Sequence, residues 1–275
     1  MSQTISSIGG FIQKISKLPI NADEVLFYRG HSDRHEFKLK PSLHRDPGWQ
    51  DNEHLLVNEL ISSNPFDFRE DESMFEKLVR MQHHSLPTRL LDITSNPLMA
   101  LYFSACEKNE TAGEVLIFRV KKDAIKYSDS DTVSCIANVA RLTSDDRSEI
   151  DTNLDKALFN ASGPIKRMLH FIKEEKPYFT DCIDPADMRS IVCVRPRMSN
   201  LRISQQSGAF LLFGLEASLN EAGSADYPVE RMIINKKQKA KICEQLASLN
   251  IHRGTVYPNI DSSALVVRAR YKTPA

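Results

Sequence analysis

The chain has 275 residues, 41% hydrophobic and 26% charged, a balance that excludes intrinsic disorder and supports either one large domain or a core with an appended subdomain. Lys plus Arg and Asp plus Glu number 36 each, so no global field draws the protein to nucleic acid or to an anionic membrane, and only a local basic patch could do so. No run approaches the ~20 apolar residues of a membrane span, and the opening MSQTISSIGGFIQKI lacks the basic start and apolar run of a signal peptide; the expectation is a cytoplasmic protein without a membrane partner.

After an amphipathic opening (Ile8, Phe11, Ile12, Ile15), Glu24-Val-Leu-Phe-Tyr-Arg29 has the β-branched and aromatic character of a strand ending at Gly30. The stretch through Pro41, Pro47 and Gly48 reads as loop. A helix is expected from about Asn52, with Leu55, Leu56 and Leu60 on one face, and another carries Met74, Leu78 and Met81 into Gln82-His83-His84. Asn96-Pro97 starts a further helix over Leu98 to Glu107, because Asn caps free N–H groups and proline fits the first turn. Glu114 to Val120 is then a strand.

From about Lys121 to Ser162 the chain is less regular and rich in Ser, Thr and Asp, and reads as an insertion with weak helical periodicity at Ile150 to Phe159. Gly163-Pro164 restarts a helix (Ile165, Met168, Leu169, Ile172); strands follow at Arg189 to Val194, Gly208 to Phe213 and Met232-Ile-Ile; a helix spans about Lys236 to Leu249, and a last one is capped by Asp261. No repeat or clean linker interrupts this order, which argues α+β or α/β. The five cysteines (Cys106, Cys135, Cys182, Cys193, Cys243) are odd in number and lack CxxC or zinc-ligand spacing; buried reduced thiols are expected.

Chemistry concentrates in two segments, expected to form two walls of one polar pocket. In Phe27-Tyr-Arg-Gly-His-Ser32 a permanent guanidinium adjoins a glycine that would let a ligand approach the backbone, which suits a phosphate or diphosphate; the plainer reading is an ion pair at a turn. In Met81 to Phe103, Leu86, Leu90, Leu91 and Ile93 pin the backbone to the core. Thr88, Arg89 and Asp92 are therefore expected to be partly buried and paired, as Arg89 with Asp92 or Arg29 with Asp92, and a network that merely fixes the loop is the alternative.

Adjacent His83 and His84 suggest a metal with Asp92 and His31, but neighbouring side chains diverge on a helix or a strand, and no metal is expected. Arg202, Gln205 and Gln206 precede the apolar strand at Gly208 as a third wall, where glutamine can orient a ligand but cannot serve as a general base. No GxGxxG, Gly-Lys-Thr, GxSxG or HExxH motif occurs.

Phe27-Tyr-Arg-Gly30, Gln82-His83-His84, Pro87-Thr-Arg-Leu-Leu-Asp92, Asn96-Pro97-Leu98 and Ala100-Leu-Tyr-Phe103 resemble the FRG domain family. The resemblance continues through Arg202 to Phe210 and into Gly254-Thr-Val-Tyr-Pro-Asn-Ile-Asp261, so residues 1–275 are identified as one FRG domain with an insertion at about 121–162. Its members are widespread in bacterial and phage-conflict settings.

More distantly, the layout is similar to ADP-ribosyltransferases, which implies an α+β domain with a central mixed, split sheet flanked by helices, and NAD as substrate. On that likeness Arg29, Asp92 and Gln206 are the catalytic candidates, with Arg29 also on the NAD diphosphate. Gly30, His31, Gln82, His83, Thr88 and Arg89 complete the binding set, and Tyr102 or Ser104 lines the nicotinamide side. Gln206 stands where those enzymes usually keep a glutamate, so the carboxylate would have to come from Asp92 or Glu216, and no Ser-Thr-Ser strand motif is found in register.

The implied roles are an NAD-consuming toxin in anti-phage defence or a toxin–antitoxin pair, with a protein or nucleic-acid acceptor and an antitoxin or defence-system partner. The alternatives are a non-catalytic module that senses a nucleotide or a phage component, and a metal-assisted nuclease built on His83 or His84, Asp92 and His31.

Overall fold

The computed structural model describes residues 3–197, 205–215 and 217–258, with the single positions 264 and 268. Arg202, Glu216 and the expected helix at Asp261 lie outside the described residues.

Eight strands form one mixed sheet: β1 Gln3–Ile5, β2 Glu24–His31, β3 Leu90–Thr94, β4 Gly113–Lys121, β5 Ile125–Tyr127, β6 Ile191–Arg195, β7 Gly208–Phe213 and β8 Val229–Ile234, in the order β1-β8-β4-β2-β3-β7-β6-β5. The two outermost pairs, β1 with β8 and β5 with β6, are parallel and the others antiparallel. Helices and strands alternate irregularly along the chain, giving the expected α+β class. The helices that lie wholly within the described residues are α1 Ile8–Ser16, α2 Pro47–Asp51, α3 Glu53–Ser63, α4 Met74–His83, α5 Pro97–Ala105, α6 Asp131–Asn138, α7 Ser144–Ser148, α8 Lys156–Ala161, α9 Gly163–Glu175, α10 Lys239–Ser248 and α11 Arg253–Val256. None of those described is long and apolar enough to cross a membrane.

The sheet is divided in the middle. β2 pairs with β4 along its whole length, Glu24 opposite Lys121 through His31 opposite Glu114, and β3 pairs fully with β7. Between β2 and β3 the only paired positions are Tyr28 and Thr94. Two four-stranded halves therefore meet at one residue pair and part beyond it.

Side-chain alternation then assigns the layers, since directly opposed residues share a face. Tyr28, Leu26, Val115, Ile117, Met232 and Ile234 pack under Phe11 of α1, Ala100 and Leu101 of α5, and Ile242 and Leu246 of α10. On the same face, Leu90, Phe210, Leu212 and Val194 pack under α4 (Phe75, Leu78) and α6 (Val133, Ile136). The opposite face (Phe27, Leu91, Ile93, Leu116, Phe118, Leu211) runs across both halves and is covered by Leu39, Leu219 and Tyr227. The first face thus carries two separate helical layers, with a trench between α4 and α5 above the place where β2 and β3 part.

Three expectations change in detail. Segment 121–162 supplies edge strand β5 and helix α6, whose Val133, Ile136 and Ala137 belong to the core. α3 turns Glu53 and Val57 inward and leaves Leu55 44% exposed, because its buried face is set by an ion pair described below. Cys106 and Cys243 form a disulfide joining the end of α5 to α10, so not all five thiols are reduced. Their Cα atoms lie 5.7 Å apart, from positions 137 residues distant in sequence, a pairing that spacing alone does not reveal. Cys135 and Cys193 are buried thiols, each pushed up to about 12 by burial, and Cys182 is exposed.

Candidate functional site

The trench encloses a cavity of about 240 Å³. Arg29, Gly30, His31, Gln82, His83, Asp92 and Gln206 all line it, so the three segments singled out in the sequence do converge. Its apolar wall is largely aromatic: Tyr28, Phe103, Phe210 and Tyr257.

Arg29 stands where the strands separate. Beyond the Tyr28–Thr94 pair the Asp92 carbonyl has no β2 backbone partner, and Arg29 Nη1 donates to it at 2.6 Å. A side chain thus replaces a ladder hydrogen bond and satisfies an acceptor that would otherwise be costly to leave unpaired. The same Nη1 lies 3.9 Å from Asp92 Oδ2, which realises the Arg29–Asp92 alternative. Burial lowers the pKa of Arg29, with Asp92 opposing the shift.

Behind Arg29 is a buried polar chain on the opposite face of the sheet. Arg29 Nε donates to His31 Nε2 at 3.2 Å. That nitrogen must therefore be the acceptor, so His31 is neutral with its proton on Nδ1, and Nδ1 donates to Glu114 Oε1 at 3.1 Å. His31 and Glu114 are directly opposed across β2 and β4, and each is 2% exposed. Burial depresses the His31 pKa, and the charges of Arg29 and Arg231 add to this against the pull of Glu114. The Glu114 carboxyl, despite its burial, is held below the usual carboxylate range by hydrogen bonds from His31 and Arg231. Arg231 Nη1 donates to Glu114 at 2.6 Å and Arg231 Nη2 reaches Glu221 Oε2 at 2.7 Å.

In front of Arg29, Asp92 presents a carboxylate to the cleft. Its side chain is 56% exposed, and Gln82 Nε2 donates to Oδ2 at 2.6 Å. Thr88 decides which way that amide points: its hydroxyl accepts from Leu90 N at 3.3 Å and donates to Gln82 Oε1, so the NH₂ end is left for Asp92. Gln82 itself is placed by the last turn of α4, which a capping box starts at Ser73 and Glu76.

α5 forms the other wall. Asn96 caps it through Leu98 N at 3.0 Å, with Pro97 in its first turn, as the sequence predicts. It lies so close to β2 that a Cβ on Gly30 would meet Ala100 O at 2.1 Å, Ser104 N at 2.7 Å and Phe103 Cβ at 2.8 Å. Gly30 lines the cleft, yet its missing side chain makes room for helix backbone rather than for a ligand, a correction to the sequence reading.

Four other expected binding residues are placed elsewhere. Arg89 is 3% exposed and faces away from the cleft, with Nε 2.8 Å from Glu53 Oε1, Nη2 on Glu53 Oε2 and Nη1 3.0 Å from Phe213 O. It is the inward partner that turns α3 around. Thr88, 1% exposed, acts on the cleft only through Gln82. Ser104 is fully buried and donates to Leu101 O at 2.8 Å. Tyr102 packs against the core under α5, where burial, aided by Tyr257 and Glu107, pushes its hydroxyl up to about 12. On a helix one residue's shift turns a side chain by ~100°, and it is Phe103 that faces the cavity.

Gln206 is drawn to the cleft by Thr94, whose hydroxyl donates to Gln206 O at 2.5 Å, and its amide donates to Val256 O at 3.0 Å. Glu107 and Val79 also line the cavity and had no distinguishing sequence signal, whereas Tyr257 lines it from the Gly254 to Asp261 segment that shares in the resemblance. Glu114 did have one, a carboxylate at the head of the apolar run Val115 to Phe118; its register with His31 is set by the fold. Lys239, fully buried, reaches the wall from α10 and donates to Ser32 O at 2.6 Å and Glu107 O at 3.1 Å. Among the described residues no group of three or more His, Cys, Asp or Glu side chains is gathered as a metal centre requires.

Compared with known families, residues 24–113 match the model of the FRG domain, a span that runs from the first residue of β2 to the first of β4 and takes in Arg29, Gln82 and Asp92. No curated protein and no solved structure matches the chain.

Proposed function

The chain carries an FRG domain at residues 24–113, and from that premise we propose that the cleft binds NAD or a close relative and breaks the bond between nicotinamide and ribose. The observation that carries this reading is the Asp92 carboxylate, oriented by Thr88 and Gln82 and set beside Arg29 in an aromatic cleft. Planar rings suit Tyr28, Phe103, Phe210 and Tyr257, and a guanidinium suits the diphosphate. In the reaction the C1′–N bond breaks with its electron pair leaving on nicotinamide. The ribosyl carbon becomes cation-like, and a fixed carboxylate stabilises that developing charge. A lone pair of water, or of a nucleophile on protein or nucleic acid, then forms the new bond and gives up its proton to Asp92 or solvent. The bacterial setting we propose is a toxin in anti-phage defence or with an antitoxin partner.

Incubation with NAD labelled in either half is the test. Release of nicotinamide by the wild-type chain, cut at least ~100-fold in Asp92→Asn while NAD binding stays within about threefold, is expected. Expression should arrest growth, and Arg29→Ala or Asp92→Asn should relieve it. No release and no label transfer from the wild type sinks the catalytic reading.

One observation favours a second reading, a module that senses a nucleotide without turnover. The third wall offers Gln206, an amide that donates to Val256 O, in place of an acid. NAD would then raise the melting temperature with no product formed.

A further inference from the structure

A second cavity, of about 200 Å³, adjoins the cleft. It shares Arg29, Gln82 and Asp92 with the first, so these three form the partition, and it adds Arg45, Ser42 and Ser85. Each cavity alone is smaller than the ~300–1,000 Å³ typical of small-molecule sites; a ligand that passed the partition would use both.

The charges of the second cavity are unbalanced. It is lined by two guanidiniums against the single carboxylate of Asp92, whose Oδ2 already accepts from Gln82. Arg45 ends a short 3₁₀ turn, Leu43–Arg45, and is anchored through Nε and Nη2 to Lys40 O at 3.4 and 3.2 Å. Arg29 is anchored through Nε and Nη1 to His31 and the Asp92 carbonyl. Among the described residues, Arg29 Nη2 and Arg45 Nη1 make no hydrogen bond, so each fixed guanidinium keeps donors to spare. Arg45 adds to the lowering of the Arg29 pKa that burial begins, as two like charges within reach of each other should. A bound anion would relieve that repulsion.

We propose that this second cavity is an oxyanion subsite, in which Arg29 and Arg45 take a phosphate or diphosphate group. The group belongs to a ligand whose ring lies in the aromatic cleft, and that part of the inference rests on the nucleotide reading above. Asp92 restricts the anion to the Arg45 side of the partition. The bidentate fork of arginine matches two phosphate oxygens, so two such forks suit a diphosphate better than a single chloride or carboxylate. Ser42, whose hydroxyl accepts from Thr88 N at 3.1 Å, and Ser85 add hydroxyl groups to the wall.

The test uses the full chain, inorganic diphosphate and ADP as probes, and chloride at matched ionic strength. Diphosphate is expected to raise the melting temperature of the wild type and to bind about tenfold more weakly to Arg45→Ala, with Arg45→Lys between the two. Arg45 is exposed, so the unliganded variants should melt like the wild type, and far-ultraviolet circular dichroism checks this. ADP binding more tightly than diphosphate, with the same Arg45 dependence, identifies a nucleotide as the source of the group; equal affinity identifies a free oxyanion and removes the ring. Wild type unmoved by diphosphate, or binding unchanged in Arg45→Ala, overturns the subsite whatever the NAD assay gives. Arg45-dependent diphosphate binding together with absent NAD turnover keeps the subsite and sinks the catalytic reading.

Discussion

Gly30→Ala should destabilise the protein without any ligand present. A Cβ there would stand 2.1 Å from Ala100 O and 2.7 Å from Ser104 N, distances that real Cβ atoms, which keep to 3.0 Å or more, do not show. These two atoms are helix backbone and the third, Phe103 Cβ at 2.8 Å, is fixed to it, so no rotamer change relieves the clash and α5 must retreat from β2 by about 1 Å. Ala100, Leu101 and Ala105 on the inner face of α5 are fully buried, so the retreat loosens their contacts as well. Overpacking of this kind costs ~1–3 kcal/mol, and with backbone on both sides the upper half of that range is expected. At this chain length the loss corresponds to a fall in melting temperature of roughly 4–8 °C. Urea titration should show a lower midpoint with an unchanged slope, because the surface exposed on unfolding hardly changes. If Gly30→Ala were within 0.5 kcal/mol of wild type and lost only ligand binding, the glycine would be serving a ligand after all, and the packing argument would be refuted.

Glu53→Gln removes the one carboxylate shared by Arg89 and Arg147 and should cost ~3–5 kcal/mol by chemical denaturation; ligand affinity in the cleft, measured well below the melting temperature, should hold, since Arg89 faces elsewhere. Ser85 has φ 66°, and Leu86 N bonds Met81 O while Ser85 N bonds Gln82 O, the Schellman pattern that favours glycine. Ser85→Gly should therefore raise stability by about 0.5–1 kcal/mol in the same titration, and a loss would show that the serine is held there by other contacts. His44 is depressed from 6.5 to about 4 by burial and by Arg89. Above pH 6.5 it is neutral folded and unfolded; below that the unfolded chain takes up the proton first, so stability falls between about pH 6.5 and 4, by up to roughly 3 kcal/mol. His44→Gln should flatten that part of the stability curve, and an unchanged slope would remove His44 as its source. His31 is shifted in the same direction and adds to the slope in wild type and variant alike.

What the sequence made legible followed from local rules. The strand at Glu24, the cap at Asn96-Pro97 and the apolar runs at Glu114 and Gly208 need only neighbours within a turn or two to declare themselves. A partner for Asp92 was legible too, because polar residues between pinned apolar ones must share partners, whereas the Arg29 and Gln206 segments were brought to the same site chiefly by the family resemblance. The direction of each side chain was not. Arg89 and Asp92 lie three residues apart, and which of them meets Arg29 depends on where β3 starts, one residue after Arg89. Tyr102 and Phe103 exchange roles through a single helical step. The Cys106–Cys243 bridge and the reach of Lys239 depend on α10 lying beside α5, a contact between elements more than 130 residues apart in the chain.

The cleft can be traced to a failure of pairing. Had β2 and β3 continued their ladder beyond Tyr28 and Thr94, the Asp92 carbonyl would take a backbone donor, Arg29 would have no acceptor at the seam, and α4 and α5 would sit over a closed sheet. An arginine is well fitted to hold such a seam open, since it carries five donors, and here one set reaches Asp92 while Nε is steadied by His31. The steadying group must be an acceptor, which requires neutral His31, and Glu114 on the far side secures the tautomer that leaves Nε2 free to accept. Arg231 in turn balances the charge of Glu114, so that the buried chain from Arg29 to Arg231 is paired at every step. The motif residues thus act on the seam together, since Arg29 props the strands apart, Gly30 brings α5 down beside the gap, and His31 keeps the prop in place.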